Sequence, residues 1–180
     1  LLLVLSLVVL CPGAHVSLFD RDEGWYAQVL REMIARGDYI VPTYLGQPWL
    51  LKPPLLYWLA APLAAATGLE EWALRAVSIV AMTVCVQLIA ALAARFFGLQ
   101  AAWFAASSFL TAAMPAIVGR LFITDAVLAA CLLGAAAFLV SIRASGLSRV
   151  PTLGFWVCVG LAVLTKGPAV AVYVLGLLIA

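Results

Sequence analysis

What the sequence lacks first is charge: Asp, Glu, Lys and Arg make up 10% of its 180 residues, against roughly 25% in soluble globular domains. With 67% apolar residues and a mean hydropathy of +1.17, it is a polytopic membrane protein rather than a soluble domain. It also lacks any run of Lys and Arg, and its net charge is only +2, so a nucleic-acid partner is not indicated. The single histidine, His15, has no partner at metal-ligand spacing and receives no role. Cys11, Cys85, Cys131 and Cys158 all lie in apolar runs without C-x-x-C spacing, which reads as packing thiols and indicates neither a disulfide nor a zinc site. No Met opens the chain, which begins on LLLVLSLVVL and stops on VLGLLIA; we expect the N-terminal part of something longer, with further site residues outside it. Leu1 to Cys11 has no basic flank and no cleavage signal, and is read as the outer half of a first spanning helix rather than a signal peptide.

The little charge there is gathers in one place. Asp20 to Trp58 holds five of the eight acidic residues, four of the ten basic ones and three of the six tryptophans. Asp20 or Asp22 can cap a helix from about Glu23 to Arg36, whose Trp25, Tyr26, Val29, Leu30, Met33 and Ile34 form one apolar stripe, with Gly37 as its stop. Gln28, Arg31, Glu32 and Arg36 fall on the other side, Glu32 and Arg36 at i,i+4 pairing distance. Asp38 to Lys52 reads as a turn-rich loop. The segment starting at Pro53-Pro54 and ending at Thr67 reaches only about 22 Å against a hydrocarbon core of about 30 Å. Both helices are expected to lie along the membrane surface.

Three longer runs follow, Trp72 to Ala94, Ala101 to Val118 and Ile123 to Ile142, and inside them only Arg75 and Asp125 are charged. Arg75 is expected to pair with Glu71 at i,i+4. Pro151 to Ala180 is apolar but interrupted by Thr165-Lys166-Gly167-Pro168, a break that ends one helix and starts another. The expected fold is therefore all-α: about six spanning helices, with two short interfacial helices in a first external loop covering about residues 14–71. Arg95, Arg143 and Arg149 mark the cytoplasmic side. Counting crossings from them brings the 20–52 loop, the Gly119–Asp125 turn and the Lys166 break to one external cavity.

The string D-E-x-x-Y-A-x-x-x-R-E-M-x-x-x-G-D-Y-x-x-P-x-x-x-G-x-x-x-x-x-K-P-P-L-x-Y-W, from Asp22 to Trp58, resembles the first external loop of membrane glycosyltransferases with the GT-C fold. Within that group it is similar to the protein mannosyltransferase and lipid A aminoarabinose transferase branch. Arg120 with Thr124-Asp125, and L-T-K-G-P at Leu164 to Pro168, follow in the family's order. The resemblance implies transfer of a sugar, with inversion, from a polyprenyl-phosphate donor to a lipid or protein acceptor. It also implies a bacterial inner-membrane location with the site on the periplasmic or extracellular side. Gly24-Trp25 departs from it, standing where members often carry a small residue and an arginine.

Such a transfer needs a carboxylate at the acceptor and cations at the departing phosphate. Asp22, with Glu23 beside it, is the catalytic candidate. Lys52, Arg120 and Lys166 are candidates for the phosphate, Asp125 for orienting a cation, the acceptor or one of those basic groups, and Tyr26 and Tyr57 complete the substrate-binding set. Each has a plainer reading: Asp22 and Asp125 as helix caps, Lys52 and Arg120 as membrane-edge anchors, the tyrosines as interfacial aromatics. Lys166 is harder to explain that way, because an unpaired lysine at membrane depth costs about 2.5 to 3.5 kcal/mol. Asp20-Arg21-Asp22 has the D-x-D form that binds metal in some sugar transferases, which alone is weak evidence. No cofactor is firmly implied, and a divalent metal stays open. A flippase for lipid-linked substrates and a non-catalytic membrane subunit are the other classes the sequence admits.

Overall fold

The computed structural model describes residues 1–146 and 148–179. The chain runs α1 (Leu2–Leu10), α2 (Arg21–Arg36), β1 (Thr43–Tyr44), β2 (Gln47–Pro48), α3 (Leu55–Thr67), α4 (Glu71–Thr111), α5 (Ala113–Val118), α6 (Thr124–Ser145), α7 (Arg149–Lys166), a 3₁₀ turn at Gly167–Ala169, and α8 (Val170–Ile179). It is an all-α membrane architecture. By length and composition, three helices among the described residues can cross a membrane: Glu71–Thr111, Thr124–Ala144 and Arg149–Ile179.

The six expected crossing segments correspond to α1, two limbs of α4, α6, α7 and α8. α4 is divided at Gly98, which adopts φ 85°, ψ 176°. Ile89 and Phe109 line one groove, although a straight helix would hold residues twenty positions apart at about 30 Å. The chain therefore doubles back at Gly98. α1 and α8, at 9 and 10 residues, are short of the roughly 20 that a full crossing takes.

The run expected from Ala101 to Val118 is broken at Ala112, which is extended. Pro115 explains the break: inside one continuous helix its ring would meet the carbonyl of Thr111 and its missing N–H would leave that carbonyl unbonded. A new helix starting at Ala113 puts Pro115 in the first turn instead, where no intrahelical N–H is required.

The α2 helix forms for the reasons its sequence suggests. Asp20 accepts a hydrogen bond from the Asp22 amide at 2.8 Å, and Gly37 closes the helix in the left-handed conformation at φ 65°. Tyr26, Val29, Leu30 and Met33 are buried along the stripe. The polar face behaves differently from the expectation. Glu32 does not pair with Arg36; it accepts from Gln28 Nε2, Thr43 Oγ1 and the amides of Leu45 and Gly46, while Arg36 donates to Asp38 and Thr43.

These bonds fold the expected loop into a hairpin, Thr43–Tyr44 against Gln47–Pro48. Its two turn residues, Leu45 and Gly46, both have positive φ, the geometry of a tight primed turn. A leucine there is strained, and the Glu32 carboxylate holding both turn amides compensates.

Candidate active site

Among the described residues, the deepest polar contact is a buried ion pair between two elements distant in sequence. Arg75 in α4 meets Glu23 in α2 through two parallel bonds, Nε to Oε1 and Nη2 to Oε2, both 2.9 Å, with the side chains 1% and 0% exposed. Arg75 thus does not pair with Glu71. The i,i+4 reading fails because Arg75 points into the interior of the fold, where the buried Glu23 carboxylate compensates the desolvated guanidinium. The remaining donors of Arg75 go to main-chain carbonyls of Gly13, Ala14, Val16 and Ser17. Glu23 Oε1 also accepts from the Phe122 amide at 2.8 Å.

Asp22 precedes this pair and is half-buried in the first turn of α2. Among the described residues its carboxylate has no hydrogen-bond or ion-pair partner. One helical turn on, Tyr26 is buried and its ring packs edge-on against Tyr57 at 6.2 Å. Burial pushes the Tyr26 hydroxyl up to about 12, and the carboxylates of Asp22, Asp125 and Asp20 push the same way. Asp22 and Asp125, 103 positions apart in the chain, thus both raise this one hydroxyl.

Asp125, in the first turn of α6, is in turn bonded to Lys166, the last residue of α7, at 2.5 Å. Lys166 reaches that place because α7 stops at Gly167, whose φ of 77° redirects the chain into the 3₁₀ turn. Lys166 and Lys52 line one cleft of about 340 Å³, together with Trp49, Pro53, Gly167 and Pro168. Three of the eight candidates, Asp125, Lys166 and Lys52, are therefore joined by a contact or a shared cleft, and two more, Asp22 and Tyr26, stand one turn apart on α2.

The other three sit differently. Arg120 donates from Nη2 to the Val9 carbonyl at the end of α1, while its buried Nε is unpartnered. Tyr57 is sunk beneath Tyr26, and its hydroxyl has no partner in hydrogen-bonding geometry. Glu23 is sealed in the ion pair. Asp20 spends its carboxylate as the α2 cap. Among the described residues no group of three His, Cys, Asp or Glu side chains is placed to hold a metal ion. Beside the cleft stands an aromatic wall in which Trp49 touches Trp25 and Tyr44, and Arg21 lies 4.7 Å over Trp25. Two grooves, between α3, α4 and α6 and between α4, α6 and α8, are lined wholly by residues without charge and lie apart from this chemistry.

Residues 51–180 match the family model described as dolichyl-phosphate-mannose-protein mannosyltransferase. The chain belongs to this family. Two relatives are named as arabinosyl transferases. An undecaprenyl phosphate-alpha-4-amino-4-deoxy-L-arabinose arabinosyl transferase of Enterobacter sp. (strain 638) is 31% identical over 99% of this chain and 33% of its own length. The second such transferase of Sodalis glossinidius is 38% identical over 41% of this chain and 12% of its own. The crystal structure of ArnT from Cupriavidus metallidurans bound to undecaprenyl phosphate superposes with a TM-score of 0.88 at 28% identity, covering 99% of this chain and 34% of that one. The chain thus spans about a third of the length of the relatives that align with all of it.

Proposed function

We propose that this chain forms the acceptor-activating and phosphate-binding part of a membrane glycosyltransferase. Its donor is a sugar on a polyprenyl phosphate, and its acceptor a lipid or protein at the periplasmic face of a bacterial inner membrane. The observation that carries this reading is the charge that distant parts of the chain bring to one cleft. Asp125 bonds Lys166, which lines that cleft with Lys52, and Asp22, without a partner among the described residues, stands one helical turn before Tyr26. The names of the relatives and the lipid in the solved neighbour support the donor class. Arg95, Arg143 and Arg149, set at the opposite turns of the helices, support the orientation.

The chemistry follows from these positions. Asp22, the carboxylate left without a partner, takes the proton of the acceptor hydroxyl as that oxygen bonds the anomeric carbon. The bond from that carbon to phosphate breaks on the opposite face, and its electron pair stays on the phosphate, so the sugar inverts. Lys52 and Lys166 neutralise the departing phosphate. Tyr26, its hydroxyl pushed up to about 12, stays protonated at neutral pH.

The test uses the full-length protein in proteoliposomes with labelled undecaprenyl-phosphate sugar and a membrane-lipid or protein acceptor fraction. Asp22→Asn is expected to lower transfer by about 10² to 10⁴-fold while undecaprenyl phosphate still binds. Unchanged transfer in that variant overturns the reading. Movement of labelled carrier across the bilayer by the parent protein, with no sugar released to any acceptor, overturns it in favour of a flippase.

A further inference from the structure

We infer that Glu23 and Arg75 are a positioning pair that sets Asp22 against the turn carrying Arg120 and Asp125. This inference rests on the functional reading above and assigns to Arg75 a role that its sequence position does not suggest. Glu23 follows Asp22 directly in the first turn of α2, so a displacement of one carries the other. On its far side, Glu23 Oε1 accepts from the amide of Phe122, two residues after Arg120 and three before Asp125. The single carboxylate therefore links the two strips of chain that bear the candidate acids.

Arg75 keeps that link rigid. Its fork fixes both oxygens of Glu23, and its other bonds tie the group to the chain between α1 and α2. Three segments meet at one guanidinium: α4, α2 and the connector before α2. A dry core needs no ion pair for stability, since apolar residues of similar volume serve as well or better. What a fully bonded buried fork adds is fixed direction, and direction is what a proton acceptor requires when its neighbour Glu23 is anchored to Phe122, 99 residues on in the sequence. Lysine cannot supply it, having one nitrogen where Arg75 uses three.

Two variants of the full-length protein test this. Glu23→Gln presents an amide to a guanidinium and loses one of the two parallel bonds; Arg75→Lys keeps the charge and loses the fork. A displacement of about 1 Å in a reacting group costs up to about a hundredfold in rate, so kcat is expected to fall between roughly tenfold and a hundredfold. The Kd for undecaprenyl phosphate, set by Lys52 and Lys166, should stay within about twofold. Hydrogen exchange at the Phe122 amide should quicken in both variants, with the exchange of α6 and α7 unchanged, a readout that needs no activity. Equal loss of donor binding and kcat, or kcat unaltered in a folded variant, overturns the inference; so does unaltered Phe122 exchange. Where Glu23→Gln fails to fold, Arg75→Lys gives the same measurements. Transfer that survives Asp22→Asn removes the functional reading, and Phe122 exchange still reports separately on whether the pair holds the turn.

Discussion

Asp125 Oδ1 lies 2.5 Å from Lys166 Nζ, binding the first turn of α6 to the last residue of α7 with both side chains part-exposed, 46% and 38%. An incoming phosphate must share that lysine with a carboxylate already on it. In Asp125→Asn the competition is gone. Part-exposed pairs are worth about 0.2 to 1 kcal/mol, so undecaprenyl phosphate is expected to bind roughly 1.4-fold to fivefold more tightly, read by titration of the detergent-solubilised protein. Transfer by the same variant should fall, because a carboxylate beside Tyr26 is lost.

Lys52 and Lys166 line the cleft together, and their contributions should be of one kind. Lys52→Gln and Lys166→Gln are each expected to weaken undecaprenyl phosphate binding and to flatten its dependence on salt, because charges near a surface are screened within about 10 Å at 0.1 M salt. The combined variant should show little salt dependence. Binding curves between low and high salt check this, and a slope unchanged in the double variant shows that the phosphate lies elsewhere.

The hairpin should be held by Glu32 across the physiological range and released only in strong acid. The Thr43 hydroxyl, then Gln28 and the Gly46 and Leu45 amides, hold the Glu32 carboxyl down at about 2, below its ordinary 4.5. A depressed carboxyl contributes its stabilisation in full above the ordinary value and loses it as pH falls through about 4.5 toward about 2. Limited proteolysis of residues 39–51 is expected to be slow from pH 5 to 8 (roughly the range of maximal stability) and to quicken below about pH 4. Glu32→Gln should be nicked there at neutral pH.

A methyl group placed on Gly98 would meet nothing within 4 Å, so any cost of Gly98→Ala comes from the backbone alone. Its φ of 85° and ψ of 176° belong to a region that only glycine enters freely, and alanine there costs about 1 to 3 kcal/mol. The thermal midpoint of the purified protein should drop accordingly. Gly24→Ala, at a helical position with an equally open surround, is the control and should not lower it.

Several of these features are legible in the letters. A lysine before Gly-Pro, and an aspartate at the start of an apolar run, stand out because charge is expensive where nothing around it is polar; Lys166 and Asp125 are found together for that reason. Asp20 and Gly37 announce the ends of α2 through capping chemistry that is local. The failures share a cause too. A linear reading offers a charged residue only its neighbours three or four positions away, which points Arg75 to Glu71 and Glu32 to Arg36. The true partner of Arg75 lies 52 residues back, and Thr43, which holds Glu32, lies 11 ahead. The hairpin is hidden because its turn is Leu45-Gly46 rather than Asn-Gly, the stabilising group being a side chain on another element.

The acceptors of Arg75 between α1 and α2 are main-chain carbonyls, at residues 13, 14, 16 and 17. Any amino acid supplies a carbonyl. This connector is therefore constrained in its course and not in its letters: its side chains are free to drift while its length is not. Deleting a single residue there would pull the Asp20 cap out of register with a guanidinium it never touches.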